Sequence, residues 1–124
     1  MLSACTPRVV AIEYNWLFGP DRAVTVPNDP EFRVGAPGTR SYRGASLTAL
    51  VHLGRRKGYR LVATERVNAI FLRNEIAPEI PEIDVARGFR APKEAKDSHD
   101  VFGKIERAGL KLVTVMSDGR TQAQ

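Results

Sequence analysis

An α/β fold with a small mixed β-sheet, in two or three layers, follows from three features of this 124-residue chain. The run Val9-Val10-Ala11-Ile12 is apolar and rich in β-formers, which predicts a strand covered on both faces. Leu47, Leu50, Val51 and Gly54 recur at i, i+3, i+4 and i+7, the period of a helix with one apolar face. Two short β-forming runs follow, 59–64 and 68–73, linked by Glu65-Arg66-Val67. A helical crossover returns the chain to a parallel strand. A hairpin then adds an antiparallel strand near the sheet edge.

Each element has its own local reason. Pro7 suits the first position of the strand at 8–15, where a missing N–H matters least. Phe18-Gly19-Pro20-Asp21 reads as a turn, with Gly free to take positive φ and Pro holding φ fixed. Residues 19–44 read as a long loop carrying one short extended segment, Ala23-Val24-Thr25-Val26. The helix spans 45–57, with Thr48, His52, Arg55 and Arg56 on its polar, solvated face. Gly54 on the apolar face predicts a close approach of helix to sheet, and Gly58 a left-handed cap. Arg55, Arg56 and Lys57 complement the dipole of the last turn. Beyond the hairpin, proline punctuation predicts an extended stretch at 77–82. A short helix is expected at 98–108, with Ser98 as N-cap, Val101, Phe102, Ile105 and Ala108 on one face, and Gly109 as its stop. Leu110–Val115 reads as a strand that could fold back onto the first strand, Ser117-Asp118-Gly119 as a turn, and Thr121 to Gln124 as a fraying tail.

Composition narrows the function classes. Hydrophobic content of 43% and charged content of 27% describe an ordinary globular chain, with no apolar run long enough to cross a membrane. The N-terminal residues lack a secretory pattern, and the single cysteine, Cys5, cannot form an internal disulfide. Both fit a cytoplasmic protein. The net charge of +5 permits nucleic-acid contact, and Arg55-Arg56-Lys57-Gly58-Tyr59-Arg60 is the basic cluster that would make it. The alternative reading of that cluster is a solvated helix end.

The segments Pro7-Arg8-Val9-Val10-Ala11-Ile12-Glu13-Tyr14-Asn15, Phe18-Gly19-Pro20, Gly44-Ala45-Ser46-Leu47, Leu53–Val62 and Val67–Arg73 together resemble the C-terminal half of FkbM-like class I methyltransferases, over residues 7–74. The resemblance implies a partial Rossmann-like sheet in residues 1–74, with 8–15 as its fifth strand, 59–64 as the sixth and 68–73 as an antiparallel seventh. Residues 75–124 are an extension expected to pack on the same core. The resemblance further implies methyl transfer from S-adenosylmethionine. No G-x-G-x-G turn is present, since Gly35-Ala36-Pro37-Gly38 carries a proline inside. The expectation is therefore that this chain alone binds no cofactor, and that S-adenosylmethionine binds where the other half of the sheet is supplied.

Ligands of open α/β sheets bind at the carboxyl ends of strands. That rule makes Glu13 and Asn15 the candidate catalytic residues, Glu13 by handling a proton and Asn15 by positioning. Tyr14, Tyr42 and Asn68 are the candidate substrate-binding residues. The competing reading has Glu13 and Asn15 satisfying loop backbone while Tyr14 packs. His52 and His99 could join Glu13 or Asp100 around a metal, but no close-spaced ligand pair is present. A second function class is an interaction module that completes its sheet, at the open edge of the first strand, with a second copy or another chain.

Overall fold

The computed structural model describes residues 6–27, 42–92 and 100–123. The architecture is mixed α/β. One three-stranded sheet has the order β1 (Val9–Glu13), β4 (Asn68–Arg73), β3 (Tyr59–Glu65). A second has the order β2 (Val24–Thr25), β5 (Val113–Val115), β6 (Thr121–Ala123). Between them lies α1 (Leu47–Arg56), and two shorter helices follow, α2 (Val85–Gly88) and α3 (Val101–Arg107).

Helix α1 forms where its capping and spacing demand. Ser46 is fully buried, and its Oγ accepts from the Ala49 N–H at 3.1 Å. The same oxygen accepts from the Val24 N–H at 3.0 Å, so one hydroxyl caps the helix and ties it to β2. Leu47 and Val51 pack with Tyr14, Tyr59, Leu61, Ala69 and Phe71 of the first sheet. A Cβ on Gly54 would stand 3.1 Å from the Phe71 ring, the close approach that the glycine anticipates. Gly58 has φ +88° and ends the helix in the left-handed region.

The polar face of α1 is partly covered at Thr48 and His52, contrary to expectation, while Arg55 and Arg56 stay exposed. Thr48 Oγ1 donates to the Pro20 carbonyl at 2.6 Å, and Arg56 Nη1 donates to the Gly119 carbonyl at 3.2 Å. His52 is half-buried, with Nδ1 2.9 Å from the Val115 carbonyl oxygen. Ala49 packs against Val115 on the same side. Carbonyls of Pro20, of Val115 in β5 and of the Gly119 turn meet polar side chains on this face, which helical periodicity alone cannot reveal.

Strand β1 differs most from expectation. It is an edge strand, with Val9 52% and Ile12 40% exposed, and it is not covered on both faces. The antiparallel β4 is central, and every pairing in the first sheet is antiparallel. Strands β1 and β3 run parallel to each other, but β4 separates them. The central strand is β4 because the β3–β4 hairpin folds its second arm onto β1, in register from Val9–Leu72 to Glu13–Asn68. Residues 110–115 do not cover β1. Their strand, Val113–Val115, pairs with β2 and β6.

The rest of the chain builds a second core and a clamp. Phe18, Val24, Tyr42, Val101, Ile105 and Leu112 form a cluster in which α3 packs near the short 3₁₀ turn Trp16–Phe18. Helix α3 is shorter than 98–108, and Ala108 is exposed. Ser98 lies outside the described residues. Residues 77–80 turn rather than extend, as the Ile80 N–H bond to the Ala77 carbonyl shows. Arg60 organises this turn, donating to the carbonyls of Arg73, Ile76, Ala77 and Ile80 at 2.7–3.0 Å. Thr121–Ala123 is strand β6 rather than a tail, because the turn at Gly119 (φ +85°) folds it back onto β5. No helix among the described residues is long and apolar enough to cross a membrane.

Candidate functional site

Glu13, Tyr14 and Asn15 come to one place, at the carboxyl end of β1. With Arg43 and Gly44 they line a groove of about 250 Å³. The end of the strand places them, and the 3₁₀ turn follows directly. Asn15 caps that turn: its Oδ1 accepts from the Leu17 N–H at 3.0 Å. Its Nδ2 donates to the Arg43 carbonyl at 3.0 Å, which fixes the backbone that carries the Arg43 side chain. Asn15 is 5% exposed, so its amide shapes the site more than it faces a ligand.

Tyr14 is 1% exposed, and its hydroxyl is used by the protein. It accepts from the Arg90 N–H at 2.8 Å and lies 2.9 Å from the Arg90 carbonyl oxygen. The Arg66 carbonyl stands further off, at 3.3 Å. The ring sits against Phe89, with centroids 5.8 Å apart. Burial raises the Tyr14 pKa above the ordinary phenol value, and the Arg90 backbone and charge pull partly against it.

The remaining groups are the charged ones. Glu13 and Arg43 are both exposed and line the same groove. Neither side chain makes an ion pair or hydrogen bond with another described residue. Comparison with family models, curated proteins and solved structures returned no match.

The other candidates lie elsewhere. Asn68 faces Glu13 across the β1–β4 ladder but does not line the groove. Tyr42 is buried in the second core and donates its hydroxyl to the Lys111 carbonyl. Of the basic cluster, Arg55 pairs with Glu82 at 3.1 Å, Arg56 is bonded to Gly119, and Arg60 holds the 73–80 turn. Among the described residues, no group of three or more His, Cys, Asp or Glu side chains is placed to hold a metal. Cys5, His99 and the 35–38 segment lie outside the described residues. Sequence reasoning missed Arg43. It lies in a loop without periodicity, and only the fold brings it beside the end of β1.

A second, apolar groove of about 190 Å³ runs beside β1. Its lining includes Val10, Ile12, Leu53, Tyr59 and Phe71, with Lys57 the one charged residue.

Proposed function

We propose that the domain is an interaction module that completes its first sheet by pairing β1 with β1 of a second copy. The observation that carries this reading is an apolar edge strand that no other described strand pairs on its outer side. The Arg73 N–H bonds the Arg8 carbonyl at 3.0 Å, and the Tyr14 N–H bonds the Val67 carbonyl at 2.9 Å. Antiparallel ladders alternate, so the even-numbered residues of β1 bond β4. Val9, Ala11 and Glu13 then direct their N–H and C=O groups outward. An antiparallel copy centred on Ala11 sets Val9 opposite Glu13 and Ala11 opposite itself, pairing all these groups. It also sets Val10 opposite Ile12 of the copy, so that the two apolar grooves meet. No proline or charge interrupts Val9–Ile12 to block such pairing.

Sedimentation of the full chain across concentration tests this, with Ala11→Pro as the variant. Proline at position 11 removes an outward N–H and leaves the bonds to β4 in place. The wild type is expected to dimerise and Ala11→Pro to stay monomeric while keeping its circular dichroism. Val9→Lys, at an exposed site, serves as a second block. A wild type that remains monomeric at high concentration contradicts the reading.

A second reading is favoured by one feature: β4 is antiparallel to both neighbours, as the methyltransferase resemblance implies for the seventh strand. In that reading β1 receives the cofactor-binding half of a sheet, and Glu13 stands at the carboxyl end of a joined strand. S-adenosylmethionine would then need residues from that half, and the groove's contribution would be alignment of the methyl acceptor. Calorimetric titration of this chain with S-adenosylmethionine is expected to show no binding. Micromolar binding would contradict the divided site.

A further inference from the structure

We infer that the groove at the end of β1 binds a zwitterionic small molecule, with its ammonium on Glu13 and its carboxylate on Arg43. One carboxylate and one guanidinium line a single groove, yet they do not pair with each other within 4 Å or with any other described residue. Several other surface arginines form ion pairs, while Arg8 and Arg87, like Arg43, form none with a described residue. Arg55, Arg107 and Arg120 each reach a carboxylate, at 3.1, 2.9 and 2.6 Å.

The backbones that carry the two charges are each fixed. Glu13 is set by its register opposite Asn68. The Arg43 backbone is set by the Asn15 amide, and the next residue, Gly44, takes φ +61°, a conformation that side chains rarely adopt. The Asn15 N–H bond to the Ala45 carbonyl at 2.8 Å fastens the same strand end to the same loop. A molecule carrying both charges satisfies both walls at once. One carrying a single charge leaves the opposite wall unpaired and sets like charges near each other. A guanidinium also offers paired donors that match a carboxylate in a way a lone ammonium does not. The groove's volume of about 250 Å³ suits a molecule of amino-acid size.

This site stands on the groove alone and needs neither the pairing at β1 nor methyl transfer, so its test involves neither dimerisation nor S-adenosylmethionine. The test is amide chemical-shift titration of the full chain with glycine, β-alanine and γ-aminobutyrate, which space the two charges increasingly far apart. Acetate and methylammonium are the singly charged controls. Saturable shifts at residues 13–15 and 43–45 are expected for one of the zwitterions, with both controls binding roughly tenfold more weakly. Glu13→Gln and Arg43→Gln, both at exposed positions, are each expected to weaken the zwitterion by roughly tenfold as well. Added salt should weaken it in the wild type, a readout that needs no variant. No saturable shift with any zwitterion, or equal binding of a singly charged control, overturns the inference.

Discussion

Replacing Tyr14 by Phe separates the core of the site from its working face. The substitution keeps the ring against Phe89 and removes only the hydroxyl. That hydroxyl accepts from the Arg90 N–H at 2.8 Å and donates to the Arg90 carbonyl at 2.9 Å, and the residue is 1% exposed. Losing a hydrogen bond costs about 1 kcal/mol, and a buried partner left unsatisfied costs about 1–3 kcal/mol. The expected loss is about 2–3 kcal/mol, because two groups of one residue lose a partner together. For a domain of this size that lowers Tm by about 6–12 °C. Thermal unfolding followed by circular dichroism measures it.

The pH dependence carries an independent sign. The folded pKa of Tyr14 is raised above 10.0 by burial. Between the unfolded and folded values the unfolded state has lost the proton and the folded state keeps it, so stability falls with rising pH. The contribution is intact below pH 10.0 and is lost as pH climbs from there through the folded value. Tyr14→Phe should remove this part of the alkaline loss. A variant within about 0.5 kcal/mol of the wild type, the range of ordinary surface substitutions, with an unchanged alkaline limb would refute the placement of that hydroxyl.

Other substitutions test the joints of the fold. Ser46→Ala leaves the Ala49 and Val24 N–H groups without their shared acceptor and should cost about 2 kcal/mol in chemical denaturation. Gly119→Ala should also destabilise, since its Cβ would stand 2.6 Å from both Cβ and Cδ of Arg56 at a φ of +85°, and denaturation of the double variant with Arg56→Gly, which removes both atoms, should show that part of the loss is relieved.

What the sequence made legible followed from periodicity and from residues with one conformational use. Helix α1, its glycine contact with Phe71, the left-handed Gly58 and the β3–β4 hairpin all belong to this class. The grouping of Glu13, Tyr14 and Asn15 was legible as well, because adjacent residues at a strand end cannot be far apart. Long-range choices were not. The apolar run at β1 reads as buried because composition reports what a strand could bury, whereas Val9 and Ile12 are exposed at an edge. His52 reads as solvated because helical spacing puts it opposite Leu50 and Val51, while the Val115 carbonyl that receives it lies 63 residues away. Arg60 reads as part of a basic patch, yet its guanidinium is spent on backbone carbonyls of a turn that proline punctuation had marked as extended.

Amide hydrogen exchange along β1 tests the open edge most directly. Val10 and Ile12 amides should be protected at every concentration, because they face β4. Val9, Ala11 and Glu13 amides should exchange rapidly in dilute protein and become protected as the chain associates, with Ala11 at the centre. Protection of Ala11 in dilute monomer, or its continued rapid exchange in an associated sample, would contradict the pairing of β1 with a second copy.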